Sequence, residues 1–209
     1  GYIETKPLVY DNLVIFGAWD KNLYALDKKT GKEVWKWHEG KPGRFYSAAA
    51  VWPVAANGKV FIADPERVLT AIDASTGKTV WRTKESMVRE TVGLSEDKRR
   101  IYSKTMNDSV VCYSATTDFP EKIWASNVGF GYEHAPSMPV EKEGVVFGST
   151  KNGLMFGLDA HTGKVLWKHK VGNSLISTLV PLSKNKCLFT ATGGEIGLLV
   201  IDYKINKHK

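Results

Sequence analysis

The stretch LYALDKKTGKEVW (Leu23–Trp35) recurs twice along this chain of 209 residues. It returns as LTAIDASTGKTVW (Leu69–Trp81) and as MFGLDAHTGKVLW (Met155–Trp167), and a degraded copy runs from Val111 to Trp124. The closing tryptophans are 46, 43 and 43 residues apart. A fixed period of roughly 20 to 50 residues is typical of repeat architectures, whose unit is either a small sheet or a pair of helices.

The local pattern of each unit favours strands. Short apolar, β-branched or aromatic runs are separated by Gly, Asn and Asp, and no segment keeps a helical period. In the second unit the runs predict strands over Ala48–Val54, Lys59–Ala63, Val68–Ile72 and Thr79–Arg82. Each unit is therefore expected to be a four-stranded antiparallel sheet.

The shared Asp-x-x-Thr-Gly element predicts a tight hairpin between the last two strands. Asp27 can accept hydrogen bonds from amides inside the turn, and Gly31 can take the left-handed conformation that closes it. Trp35 then falls on the outer strand, where its ring can fill space between neighbouring sheets. The same structural roles are predicted for the equivalent positions of the repeat: Asp73, Gly77, Trp81, Trp124, Asp159, Gly163 and Trp167.

The pattern Leu-Tyr-Ala-Leu-Asp-x-x-Thr-Gly-Lys-x-x-Trp resembles the PQQ-like β-propeller repeat of quinoprotein dehydrogenases and their non-enzymatic relatives. The resemblance covers almost the whole chain. It implies an all-β propeller, or part of one, and says little about function because one fold hosts many activities. The C-terminal stretch also resembles PQQ-like domains that follow metallophosphoesterase domains in bacterial proteins. No phosphoesterase metal-binding motif occurs in the sequence.

We predict one propeller domain over residues 1–209 with about five blades, the last of which lacks the Thr-Gly-x-x-x-Trp ending. The predicted blade starts lie near Thr5, Ser47, Glu90, His134 and Ser174. Propellers of the resembled family usually have seven or eight blades, so the chain is expected to be part of a longer propeller or to be completed by another copy. A closed five-bladed ring is the alternative, with Tyr2-Ile3-Glu4 completing the last blade. Unpaired edge blades would favour self-association.

The net charge and the cysteine positions narrow the range of functions that the sequence supports. The formal net charge is +7, but the lysines stand singly at turns and strand ends, so nucleic-acid binding is not expected. Cys112 and Cys187 lie in apolar runs and are expected to be buried reduced thiols. No residues have metal-ligand spacing, and no metal site is predicted.

The enzymatic alternative is a fragment of a PQQ-dependent oxidoreductase. The resemblance implies that such an enzyme clamps the quinone between a Trp and a disulfide of adjacent cysteines, and that a Ca²⁺ ion polarises it. The sequence has no adjacent cysteine pair. We therefore predict no cofactor, with PQQ and Ca²⁺ as the alternative.

Large polar and aromatic side chains on blade-entry loops suggest a binding surface, since aromatic residues and Arg on rigid supports form binding hot spots. Trp52 is predicted on an inner strand, where it lines or plugs the central channel. Structural packing is a competing interpretation for each of these side chains. The predicted partner-binding residues are Arg44, Tyr46, Trp52, Arg89, Glu90, Tyr132 and His134.

The sequence thus predicts a non-catalytic scaffold that binds a protein, peptide or glycan. A place in the bacterial cell envelope, periplasmic or extracellular, is implied by the family resemblance alone. No signal peptide and no transmembrane segment are visible in the sequence.

Overall fold

In the computed structural model the described residues are 2–4, 6–38, 51–64, 66–133 and 137–203, and the side chain of Glu90 is not among them. These residues form 19 β-strands in five antiparallel sheets, and no helix occurs within those ranges. The all-β prediction is therefore confirmed. The same ranges contain no helix that could cross a membrane.

The strands of every sheet follow one another in sequence order. The first sheet consists of β1 (Leu8–Tyr10), β2 (Leu13–Gly17), β3 (Leu23–Asp27) and β4 (Glu33–Trp37). The second consists of β5 (Val54–Ala56), β6 (Lys59–Ala63), β7 (Leu69–Asp73) and β8 (Thr79–Thr83). The third consists of β9 (Val88–Leu94), β10 (Arg100–Thr105), β11 (Asn107–Ser114) and β12 (Lys122–Tyr132).

The last two sheets differ in strand number. The fourth consists of β13 (Val140–Lys142), β14 (Val145–Ser149), β15 (Leu154–Asp159) and β16 (Val165–Lys170). The fifth has three strands in the described part of the chain, β17 (Ile176–Ser183), β18 (Lys186–Ala191) and β19 (Ile196–Val200).

The first strands of successive sheets lie next to one another, β1 by β5, β5 by β9, β9 by β13 and β13 by β17. The sheets are therefore propeller blades around an inner surface of first strands, with the fourth strands outside. The hydrophobic core is divided in the same way, because each of its four clusters combines side chains from two adjacent blades. Burial between adjacent blades is what holds the blades together.

The first strand of the second blade starts later than the sequence pattern predicts. Its last three strands lie within one residue of the predicted ones, whereas β5 covers only Val54–Ala56 instead of Ala48–Val54. Residues 48–50 lie outside the described ranges, and Trp52 makes a single isolated bridge to Thr91. Val51, Trp52 and Pro53, the described residues that precede β5, have no ladder partner on β6. The observed first strands begin at Leu8, Val54, Val88, Val140 and Ile176.

The Asp-x-x-Thr-Gly turn is built from local hydrogen bonds. Asp27 Oδ1 accepts from the amides of Lys29 at 3.0 Å and Thr30 at 2.8 Å, and from the Thr30 hydroxyl at 2.9 Å. Gly31 has φ of 70°, a conformation that costs an L-residue with a side chain roughly 1–2 kcal/mol. The third and fourth strands shift register directly before this turn, between Ala25 and Leu26.

Two of the tryptophans that end the repeats form a hydrogen bond to the following blade. Trp35 Nε1 donates to the carbonyl of Ala74 at 2.8 Å, and a Cβ on Gly77 would lie 2.8 Å from the Trp35 ring. Trp124 Nε1 donates to the Ala160 carbonyl at 3.1 Å in the same arrangement. The indole of one blade thus packs against the Asp-x-x-Thr-Gly turn of the following blade. This contact explains why the tryptophan and the turn repeat with the same period.

The N-terminal residues pack on the first blade. The Tyr2 carbonyl accepts from the Trp19 amide at 3.0 Å, and Glu4 accepts from Trp19 Nε1 at 3.0 Å. Tyr2–Glu4 is therefore not a fourth strand of the fifth blade, and the closed five-bladed alternative does not describe this structure. The outward side chains of β19 are open to solvent, with Ile196 81% and Val200 58% exposed.

Candidate functional site

A cleft of about 530 Å³ opens on the inner surface of the propeller. It is formed by β1 and the two residues before it, by the start of β5 and the two residues before it, and by one residue that precedes β13. Its lining residues are Lys6, Pro7, Leu8, Val9, Trp52, Pro53, Val54 and Met138. The walls are thus almost entirely apolar, with Lys6 as the one charged side chain among the described lining residues.

Trp52 is held in the cleft by alternation along an extended segment. Val51 is fully buried and Pro53 is buried, whereas Trp52 between them is half-buried. In an extended chain successive side chains point to opposite sides, so the two buried neighbours turn the indole toward the cleft. The parallel bridge from Trp52 to Thr91 on β9 fixes this segment against the third blade.

A polar cluster lies between the third and fourth blades. The buried Arg89 donates from Nη1 to Met106 Sδ at 3.7 Å, and the Met106 carbonyl accepts from the amide of Glu133 at 3.1 Å. Glu133 is fully buried, and its carboxylate accepts from the Lys151 amide at 3.0 Å. The Lys151 ammonium lies 5.1 Å from the centre of the Tyr132 ring, a cation–π distance.

Lys104 on the third blade forms hydrogen bonds to residues of the fourth blade and of the segment before it. Its side chain is fully buried, and Nζ donates to Ser137 Oγ at 2.8 Å and to the Ser149 carbonyl at 2.9 Å. Thr91, the bridge partner of Trp52, donates from Oγ1 to the Ser137 carbonyl at 3.3 Å. A network of hydrogen bonds therefore connects the wall of the cleft to the fourth blade.

The predicted binding residues fall into three groups. Trp52 lines the cleft, and Tyr132 is 58% exposed on the polar cluster. Arg89 is in that cluster too, but with 7% exposure it offers little surface to a partner. The remaining predictions, which concern the side chains of Arg44, Tyr46, Glu90 and His134, lie outside the described residues.

Sequence reasoning missed Met138 and Lys104. Met138 sits in a polar, proline-containing linker that carries no repeat signal. Lys104 stands in the run Arg100–Thr105, whose mixed polarity is typical of a solvated strand. The clue to its burial is its cross-strand partner. Lys104 pairs with the buried Val110 on β11, so the two side chains lie on the same, buried face of the sheet.

Comparison with known proteins identifies the repeat. The family described as outer membrane protein assembly factor BamB matches residues 19–117 and again residues 107–206. The chain belongs to this family. The predicted resemblance to PQQ-like propellers is thereby confirmed, and no curated protein sequence matches the chain.

Solved structures show the same fold. BamB from Moraxella catarrhalis has a TM-score of 0.72 at 19% identity, over 94% of this chain and 58% of that one. The computationally designed Ika8 protein has a TM-score of 0.75 at 16% identity, over 93% of this chain and 57% of that one. The chain therefore spans less than two thirds of the length of both structures.

A quinoprotein is similar as well. The quinohemoprotein alcohol dehydrogenase ADHIIG from Pseudomonas putida HK5 has a TM-score of 0.64 at 19% identity, over 81% of this chain and 34% of that one. At these identities the likeness of all three structures concerns the fold alone.

The described residues of the cleft in this BamB-family chain do not supply the groups that would hold a quinone and its Ca²⁺ ion. Cys112 on β11 and Cys187 on β18 are buried in different blades, and burial raises the pKa of the Cys187 thiol to about 11. The described lining of the cleft includes no carboxylate or amide side chain that could ligate Ca²⁺. The described ranges also contain no group of three or more His, Cys, Asp or Glu that could hold a metal ion.

Proposed function

We propose that the chain is a non-catalytic binding module of the bacterial cell envelope, which holds a segment of a partner protein in the cleft around Trp52. The observation that carries this proposal is the open apolar lining, with Trp52 half-buried between two buried neighbours. The family description, an outer membrane protein assembly factor, supports the envelope location and a protein as partner.

The chemistry of the lining favours a protein segment over a glycan. Met138 is a flexible side chain that adapts to varied apolar groups, and Trp52 offers a large rigid surface. A glycan would require many hydrogen-bond donors and acceptors for its hydroxyls, and the described lining supplies few side chains of that kind. Apolar side chains of an extended peptide suit the cleft better.

Site-specific photocrosslinking in bacterial cells tests the proposal. A crosslinking amino acid at Val9, which lines the cleft and is 64% exposed, should give a discrete protein adduct. The same amino acid at Ile123, 45% exposed on the outer strand β12, is the matched control and should not give that adduct. Trp52→Ala in the Val9 variant should reduce the adduct at least about tenfold.

Either of two adduct patterns would contradict the proposal. One is the same set of adducts from Val9 and Ile123, which would mean non-specific contact. The other is an adduct at Val9 that the Trp52→Ala change leaves at full yield. Absence of any protein adduct from a folded, envelope-localised chain would also count against a protein partner.

A further inference from the structure

A second cavity of about 530 Å³ lies between the first and second blades. Its lining residues lie in or near the hairpin turns of both blades, and none of them lines the cleft around Trp52. Six of the lining side chains are relevant here, three apolar ones and three carboxylates: Tyr10, Leu13, Val34, Asp11, Asp27 and Asp73. The described lining includes no Lys or Arg.

The counterparts of Leu13 in the next two blades are basic. Leu13 is the first residue of β2, Lys59 is the first residue of β6, and Arg100 is the first residue of β10. The side chains of Lys59 and Arg100 are only 10% and 11% exposed. Two neighbouring blade interfaces therefore enclose a cation at this position of the repeat.

Both basic side chains reach across to the last turn of the following blade. Lys59 Nζ donates to the Thr116 carbonyl at 3.3 Å and pairs with the Asp118 carboxylate at 2.8 Å. Arg100 Nη1 donates to His161 Nδ1 at 2.7 Å. The cation thus connects the start of a second strand to the turn of the next blade.

The cavity lies where such a side chain would cross between the first and second blades. Ser75 occupies the place in its turn that Thr116 and His161 occupy in theirs, and it lines the cavity together with Leu13. Leu13 carries no hydrogen-bond donor and no charge. The space that a cationic side chain fills in the next two interfaces is therefore left open.

Two of the three carboxylates are held in the ionised form by their turns. The amide and hydroxyl of Thr30 hold the pKa of Asp27 below its usual value. The hydroxyls of Ser75 and Thr76 lower the pKa of Asp73 in the same way. Both carboxylates are negative at neutral pH, so the cavity favours a positively charged group.

Asp11 supplies the carboxylate that is open to a ligand, since it accepts no hydrogen bond from the described residues. The Lys28 ammonium nearby donates to the backbone carbonyl of Asp11, so one cation faces three carboxylates. Tyr10, Leu13 and Val34 offer apolar surface beside these charges. An aliphatic chain that ends in an ammonium group matches both features, because lysine side chains bury their methylenes in this way.

We propose that this cavity binds an alkylammonium group, with its aliphatic stem along Leu13 and Val34 and its nitrogen between the Asp11 carboxylate and the Ser75 carbonyl. The group is carried either by a lysine side chain of a partner protein or by a free aliphatic amine, which present the same chemistry. The site is independent of the partner segment proposed for the cleft around Trp52.

NMR titration of the complete chain with defined probes tests this proposal. N-acetyl-lysine methylamide should shift the amide resonances of Gly58 and Ser75 saturably, at roughly millimolar concentration because the ion pair is partly exposed. N-acetyl-norleucine methylamide, which has the same stem without the ammonium, should not. Cadaverine is the free-amine probe. Tighter binding of cadaverine identifies a free amine as the ligand, and tighter binding of the lysine analogue identifies a protein side chain.

Three variants locate the binding. Leu13→Lys gives this cavity the group that Lys59 gives the next interface, so it should abolish the shifts from both cationic probes and preserve the resonances of the other blades. Asp11→Asn should weaken binding about two- to fivefold. Asp118→Asn, which neutralises a carboxylate in the next interface, is the matched control and should leave binding unchanged.

The norleucine analogue gives the most direct contradiction. If it caused the same shifts as the lysine analogue, the cavity would recognise only the apolar stem, and the proposal would be overturned. Undiminished binding by a folded Leu13→Lys variant would overturn it too, as would the absence of saturable shifts with both cationic probes.

Discussion

Trp124 and Gly163 are in direct contact across the interface between the third and fourth blades. A Cβ on Gly163 would lie 2.7 Å from the Trp124 ring, and the indole nitrogen donates to the Ala160 carbonyl at 3.1 Å. The glycine therefore serves two purposes: it closes the turn at φ of 74° and leaves room for the indole.

Substitution of Gly163 separates these two purposes. Gly144 has φ of 77° and no neighbour within 4 Å of an added Cβ, so Gly144→Ala should cost only about 1–2 kcal/mol of unfolding free energy for the left-handed backbone. Gly163→Ala should cost at least about 1 kcal/mol more because it also overpacks the interface. Urea unfolding measures both, and equal losses would show that the contact contributes nothing.

The indole hydrogen bond is expected to be worth a measurable amount. Trp124→Phe removes ring area and the bond to Ala160, whereas Trp81→Phe removes ring area alone, since Trp81 Nε1 has no partner among the described residues. Trp124→Phe should therefore destabilise the chain by about 1 kcal/mol more than Trp81→Phe in urea unfolding. A larger loss for Trp81→Phe would contradict the assigned bond.

The turn carboxylates should make stability depend on acid pH. The hydroxyls of Ser75 and Thr76 and the Thr76 amide hold the pKa of Asp73 below its usual value of 3.8. As the pH falls, the unfolded chain takes up this proton first, so the contribution is fully present above about pH 4 and is lost as the pH falls through the folded pKa. Asp73→Asn should therefore lower the urea midpoint at pH 7, and by a smaller amount at pH 3.

The matched control for that prediction is Asp11→Asn. The Asp11 carboxylate accepts no hydrogen bond from the described residues, so this substitution should change the midpoint little at either pH. A deficit of Asp73→Asn that stays the same at pH 3 and pH 7 would show that the carboxylate charge is not what stabilises the turn.

Removal of Lys104 should loosen the third blade from the fourth. Lys104→Ala removes buried packing and the bonds to Ser137 and Ser149, so it should cost about 2–4 kcal/mol of unfolding free energy. Lys170→Ala, at an exposed position on β16, should stay within about 0.5 kcal/mol of wild type. A loss for Lys104→Ala no larger than for Lys170→Ala would contradict the buried network.

The fold could be predicted because its signals are local. The hydrogen bonds of Asp27 and the left-handed Gly31 lie within one turn, and both follow from residue chemistry at fixed spacing. The acceptor of the indole bond could not be predicted in the same way. Ala74 lies 39 residues after Trp35, and nothing in an alanine indicates that its carbonyl faces an indole.

The candidate site was predictable only in part, because a channel-facing side chain and a buried one look alike in sequence. The sequence predicts Trp52 on an inner strand, whereas in the structure it precedes β5 and lines the cleft. The same binding role is predicted for Arg89 and Tyr132, yet Arg89 is buried against Met106 and Tyr132 is exposed beside Lys151. The difference arises from how two blades pack, which no single repeat encodes.

We propose that the cleft around Trp52 binds a protein segment and not a quinone. Titration of the folded chain with PQQ and Ca²⁺, followed by tryptophan fluorescence, tests it most directly, because a quinone stacked beside Trp52 would quench its emission. We predict no saturable quenching at micromolar PQQ, either for the wild-type chain or for Trp52→Phe. Saturable quenching of the wild type that Trp52→Phe weakens would contradict the claim and favour a quinone-dependent oxidoreductase.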